Sequence, residues 1–369
     1  MSLPRVGGMT TPGWVGVAAV AVVLLAAPVI FTDFFYGVLL TKALWLGLVA
    51  MSLIFLFSYG GMVSLAQTGL FGIAGFTMAN LVASDGGLTL ELSPWIGVLA
   101  GLALAALVGL IFGAIAARSE GIYFLMITLA FGVMVFYFFS QVTQISGFGG
   151  VNNVELPGIV GNPADDPAPL YYLSLAVAVA AFAAVFYLRR TPFGLTLQGV
   201  RDDPTRMRAL GYNVALHRTL AFAVGGLIAG LAGVLFVWYN RRIDPGSISL
   251  AAVIDVLVVA VIGGLYRLQG AWVGALAFVL IDNYSREWTP DIGSILGPER
   301  FNTLIGLIFL IIILVSPGGL VGAWEQGRDL IRSRLGGQPA GAAPEAAAAP
   351  VAQEGVDRGG GAADRPGVP

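Results

Sequence analysis

The side chains able to do covalent chemistry are few in this sequence. There is no cysteine, which removes thiolate metal sites and a thiol nucleophile. The one histidine, His217, stands beside Arg218 and cannot by itself build a zinc site or a serine-type triad. The one lysine, Lys42, lies inside an apolar run near its outer end, where it is expected to snorkel to the interface. A phosphate-loop lysine therefore has no place, so the chain has no ATPase motif of its own and does not read as an enzyme. No cofactor is called for, and a net charge of −2 offers no nucleic-acid surface. What remains is chemistry of binding. Asp255 falls near the centre of an apolar run, and an acid there is costly to bury and a functional candidate by default. It reads equally as an ion or proton site or as a structural acid bonded to a neighbouring helix. Gln67, Thr68 and Asn80 stand in a run rich in glycine (Gly60, Gly61, Gly69, Gly72, Gly75). Such a run packs helices closely, or breaks beside a pathway, so these polar residues are either satisfied by neighbours or contact a substrate.

A second concentration of function lies in 189–218, where Arg189, Arg190, Arg201, Arg206, Arg208 and Arg218 fall between apolar segments. Asp203 suits a helix cap, Pro204 the first helical position and Gly211 the stop, which predicts about two turns over 204–210. Met207 and Leu210 share one side at i, i+3 spacing, with Arg206 and Arg208 beside them and Arg201 and Asp202 just ahead. Two readings stand: a solvated positive loop that only fixes topology, or a helix that docks a cytoplasmic partner.

Composition decides what carries these groups. Of 369 residues, 57% are hydrophobic and 11% charged, with mean hydropathy +0.86, whereas a soluble domain has roughly 25% charged residues. The expected fold is an all-α integral membrane protein of about ten transmembrane helices, over 14–31, 37–57, 60–82, 95–117, 122–140, 170–188, 219–239, 249–265, 271–283 and 301–315. These form one permease domain over 1–335, in which 324–335 reads as an interfacial amphipathic stretch. Residues 336–369 are Ala, Gly and Pro with scattered charge and read as a disordered cytoplasmic tail. With the arginine-rich loop inside and the runs alternating, twelve basic residues near the membrane fall inside and five outside. This obeys the positive-inside rule and puts both termini in the cytoplasm and 141–169 outside.

From the residues alone, the function classes are a transport subunit whose basic loop docks a separate motor, a secondary transporter using Asp255, and, with less support, a membrane-embedded enzyme. Several segments, in order, resemble the permease subunits of branched-chain amino acid ABC importers, LivM type. They are Ser64-Leu65-Ala66-Gln67 through Phe76; Arg118 through Gly132, with Gly121-Ile122-Tyr123-Phe124 and Thr128-Leu129-Ala130-Phe131-Gly132; Gly149-Gly150-Val151-Asn152; Thr191-Pro192-Phe193-Gly194 through Asn213; and Ser249 through Gly264 with Asp255. The chain departs from that pattern at Pro204, Arg206, Met207, Tyr266 and Arg267. The resemblance implies a multi-pass protein of the bacterial inner membrane that imports branched-chain or other hydrophobic amino acids, with urea or short amides as the alternative cargo. It also implies a second homologous permease, two cytoplasmic ATPase subunits that use the ATP, and an extracytoplasmic binding protein. Residues 201–211 would couple to the ATPase.

Overall fold

The computed structural model of the chain describes residues 23–84, 88, 90–163 and 165–287, with Gly306, Gly319, Leu320 and Gly322 as isolated further positions. All of them belong to one unit, Met1–Glu325. Most of the first and tenth runs, the stretch 324–335 and the tail 336–369 lie outside the described residues. Among the described residues the architecture is helical, and the only pairing of strand type is a bridge between Val151 and Ile243.

The helices are α1 (Ala27–Ile30), a π-helical turn (Phe35–Leu40) leading without a break into α2 (Thr41–Gly60), α3 (Gln67–Val82), α4 (Pro94–Ala116), α5 (Gly121–Gln141), α6 (Ala168–Leu188), α7 (Pro192–Asp202), α8 (Pro204–Ala209), α9 (Val214–Asn240), α10 (Leu250–Gly263) and α11 (Gly270–Glu287). Among the described residues, five helices are long and apolar enough to cross a membrane: Phe35–Gly60, α4, α5, α6 and α9. The helices α3, α10 and α11 are shorter and apolar along most of their length. The long helices divide by burial. The windows of Phe35–Gly60 and α9 are 83% and 67% buried, against 28% for α4 and α5. Helices apolar on all sides suit either a protein interior or lipid. Phe35–Gly60 and α9 are therefore the axis of the bundle, and α4 and α5 turn residues such as Leu99, Ile111, Met126 and Tyr137 outward, where hydrocarbon is the matching solvent.

The third run differs from its expected bounds. Helix does not run through 60–82: α2 stops at Gly60 and α3 starts only at Gln67. Gly61 adopts φ +67°, its N–H donates to Phe57 O at 3.0 Å, and the Met62 N–H donates to Leu56 O at 3.1 Å. These are the paired bonds of a left-handed helix stop, which glycine adopts without a side-chain penalty. The freed backbone is partly re-satisfied inside the bundle: the Leu65 N–H donates to Thr128 Oγ1 and the Ala66 N–H to Ser64 Oγ. Irregular backbone at membrane depth is tolerated where protein buries it in this way.

The connecting segments sort to two ends. At one, Val151 and Ile243 exchange backbone bonds of 2.8 and 2.9 Å, and Asn153 Nδ2 donates to Ser84 Oγ at 2.8 Å. At the other, Ser58 Oγ donates to Leu265 O at 2.7 Å, and Arg218 pairs with Glu120 at 3.0 Å. The loop 141–169 and the arginine-rich loop are thus at opposite ends, as strict alternation of the runs requires.

Candidate functional site

The arginine-rich end is built on two short helices. Asp203 accepts a hydrogen bond from the Arg206 N–H at 2.9 Å and caps α8. Leu210 is its C-cap. Gly211, at φ +88°, ends it: its N–H donates to Arg208 O and the Tyr212 N–H to Met207 O, both at 3.0 Å. The helix expected over 204–210 therefore forms as Pro204–Ala209. The preceding stretch, expected as loop, is also helical: Thr191 caps α7, Pro192 opens it, and Gly194, Leu197 and Val200 are its buried positions at three-residue spacing. Met207 and Leu210 do different things. Met207 is half-buried against Gly199 of α7, whereas Leu210 is 64% exposed. Arg206 is exposed. Arg208 reaches Glu120 at 3.4 Å, and the same carboxylate takes Arg218 at 3.0 Å. Arg201 pairs with Asp202 at 2.7 Å and donates to Ser58 O in the last turn of α2, with its stem over Gly61. The short helix is therefore tied through α7 to the foot of the central helix.

Glu120 lies in the turn just ahead of α5. In the fold it bridges α8 to α9, and Arg218, nearly buried, has no hydrogen-bond partner for its Nε. Because the carboxylate is half exposed, solvent screens the pairs, and Glu120→Gln is expected to cost only about 1 kcal/mol. Thermal unfolding of the purified chain at low and high salt checks this. The loss should shrink with salt, and an unchanged midpoint at low salt would remove the bridge from the account.

A cavity of about 570 Å³ opens beside α2, α10 and α11, inside the ~300–1,000 Å³ span of small-molecule sites. Lys42, Thr68, Asp255 and Asp282 line it with Trp45, Phe71 and Phe236. Lys42 does more than snorkel: its Nζ pairs with Asp282 across the cavity at 2.9 Å. Of the four expected pathway residues, the fold brings Thr68 and Asp255 together here and leaves the other two elsewhere. Gln67 is buried in a separate network, its Oε1 against Ser52 Oγ and its Nε2 donating to Ser64 Oγ at 3.3 Å. Asn80 secures the end of α3, donating to Phe76 O at 2.7 Å and accepting from the Leu88 N–H at 3.1 Å. The aromatic wall and Asp282 were missed in sequence. Trp45 and Phe71 stand in apolar runs with no local signal that sets them apart, and the i, i+3 spacing of Lys42 and Trp45 on α2 is the one feature that places two lining residues on a shared face.

Apolar helices around a buried axis, with charges reserved for one cavity and for the connecting ends, define a multi-pass membrane protein organised around a solute-sized site. The comparisons with known proteins narrow this. The profile of the family described as branched-chain amino acid transport system / permease component matches residues 35–314, and the chain belongs to that family. It is 26% identical over 286 residues to the high-affinity branched-chain amino acid transport system permease protein LivM of Escherichia coli K12, covering 71% of this chain and 64% of that one. To LivM of Salmonella typhimurium it is 24% identical over 344 residues, 86% and 77% of the two chains. To the nucleoside ABC transporter permease protein NupC of Lactococcus lactis it is 25% identical over 297 residues, 74% and 90%. No solved structure matches.

Proposed function

We propose that this chain is the permease subunit of an ABC importer that carries branched-chain or other hydrophobic amino acids across the bacterial cytoplasmic membrane. One observation supports this most directly. The capped helix α8 at the arginine-rich end is linked through Arg201 to the foot of α2, and Lys42 and Trp45 on the far turns of α2 line the cavity. On this reading α8 fits a groove on a cytoplasmic ATPase subunit, and motion there is delivered to the cavity wall by a helix buried along its length. ATP binding and hydrolysis in two such subunits would shift the bundle between access states.

A second, homologous permease completes the assembly. Ala251, Ile254 and Asp255 form an exposed strip of α10, and an acid there is too costly to leave facing lipid. A partner helix or a shared aqueous path would cover it. An extracytoplasmic binding protein would deliver cargo to the end carrying 141–169, with the arginine-rich loop and both termini in the cytoplasm.

The competing reading is a secondary transporter, favoured by the presence of Asp255 in the cavity. Uptake of labelled leucine into proteoliposomes separates them. The importer is expected to need the second permease, the ATPase subunits and ATP, and to be indifferent to a protonophore. Uptake by this chain alone, driven by a proton gradient, would replace the importer reading. Orientation is checked separately: a single cysteine at Asn153 is expected to react only from outside, and labelling only from the cytoplasmic side would invert the topology.

A further inference from the structure

Resting on the importer reading, we infer that the cavity beside α2 is a zwitterion site, in which Lys42 receives the carboxylate and Asp255 the ammonium of a free α-amino acid. The cargo side chain lies against Trp45, Phe71 and Phe236.

Among the described residues, three ionisable side chains line one cavity set among apolar helices. A purely structural ion pair would need two of them. Lys42 and Asp282 make that pair, their side chains 31% and 19% exposed, so neither is sealed from the cavity. Asp255 is the third. It lies within electrostatic reach of both, and no hydrogen bond to its carboxylate is formed among the described residues. Among the described residues the cavity therefore presents one cation and two anions. A neutral cargo such as a nucleoside, a sugar or urea gives the spare anion nothing to pair with. A ligand bearing its own ammonium and carboxylate does, because the ammonium pairs with Asp255 while the carboxylate joins Lys42.

Hydrogen-bond capacity points the same way. Trp45 lines the cavity three residues along the same face of α2 as Lys42, so the Lys42 ammonium is the donor that faces the ligand carboxylate there. Thr68 adds a hydroxyl to the same wall. The aromatic rings form a continuous surface, with Trp45 to Phe236 at 5.0 Å, Phe71 to Phe236 at 5.2 Å and Trp45 to Phe71 at 6.2 Å between centroids. An apolar side chain of branched-chain size has that surface to lie on, and Ala251 and Ala252 across the cavity leave it room.

The test uses the full chain with its partner permease in nanodiscs, and three probes of nearly one shape: L-leucine, leucinol without the carboxylate, and 4-methylpentanoate without the ammonium. Wild type is expected to bind leucine about tenfold or more tightly than either analogue, since each lacks one charge-assisted contact. In Lys42→Gln the preference over leucinol disappears while leucinol still binds, which shows that the cavity is intact. Lys42→Arg restores it. In Asp255→Asn the preference over 4-methylpentanoate disappears instead. Asp282→Asn, which removes the competitor for Lys42, tightens leucine. A structural Lys42–Asp282 pair predicts the opposite for this last variant, a weakening in step with Lys42→Gln. Equal binding of the three probes to wild type, no binding of leucine, or matched losses in Lys42→Gln and Asp282→Asn each overturn the inference. The reading beneath it fails by a different result, absence of ATP-driven uptake of any amino acid by the assembled transporter. Uptake of leucine with unselective binding in the cavity would sink the zwitterion site alone.

Discussion

Leu210→Asp combined with Met207→Ala is expected to leave the chain in the membrane at wild-type level while the ATPase subunits are lost on purification and uptake stops. The expectation follows from how α8 is held. Its N-terminus is fixed by the Asp203 cap and its C-terminus by the left-handed Gly211, so the helix exists before any partner arrives. Met207 seats it on Gly199 of α7, and Leu210 is left as a bare apolar side chain at a polar end of the molecule. A pre-formed helix with one exposed apolar anchor suits a groove. An anchor of this kind is worth ~2 kcal/mol or more on truncation. An aspartate in an apolar groove adds a desolvation cost, and loss of the Met207 support loosens the helix that presents it. Together they correspond to roughly a thousandfold in affinity, though neighbouring changes need not add. Arg206→Ala should be milder, and its penalty should shrink as salt rises, since an exposed rim charge acts mainly on encounter and is screened by salt. A loop that only sets topology needs its positive charge and is indifferent to Met207 and Leu210. Normal ATPase retention and uptake in the double variant would return 189–218 to that role.

What was legible in the sequence follows the range of each interaction. The α8 helix was visible because its determinants are local: a capping aspartate, a proline at the first position and a glycine stop lie within nine residues. The same kind of signal, Thr191-Pro192 with Gly194, Leu197 and Val200 at three-residue spacing, marks α7, but the arginines around it masked the pattern. The stop at Gly61 was hidden for another reason. A hydropathy run registers where lipid begins, not where backbone turns, so the residues between α2 and α3 read as part of one helix. The cavity was least legible. Asp255 stood out as an acid among apolar residues, but its companions Lys42 and Asp282 are separated from each other by 240 positions, and nothing local signals their pairing. Gln67 and Asn80 stood out for the same polarity, and the fold uses them for the helix break and for a helix end. Polarity in an apolar run marks a position that needs a partner, and only the packing says whether that partner is the protein or a ligand.

The packing itself supplies the other large effect. Gly233→Val is expected to prevent accumulation of folded chain in the membrane, and Gly233→Ala to lower its melting point steeply. Helix α9 crosses α3 with backbone against backbone, and a Cβ built at Gly233 would stand 2.2 Å from Phe71 O and 3.1 Å from its carbonyl carbon. The obstructing atom belongs to a helix, so it cannot swing aside as a side-chain tip would. One helix must move by about an ångström, and its neighbours constrain it: Ala74 O lies 2.6 Å from a Cβ at Gly101 of α4, and Ala105 O 2.8 Å from one at Gly226 of α9. Overpacking a well-filled core costs typically 1–3 kcal/mol and occasionally more, and with no rotamer to absorb the strain the upper end or beyond, roughly 3 kcal/mol, applies here. Small residues at such crossings are what let membrane helices approach closely. Gly158→Ala is the control, because a Cβ there meets nothing within 4 Å and the backbone is not left-handed. Membrane level and thermal unfolding in detergent give the readout. The rival view holds that glycines in α9 serve motion in the pathway, and it predicts a stable Gly233→Ala chain that transports poorly. A wild-type melting point for that variant would therefore move these glycines from packing to mechanism.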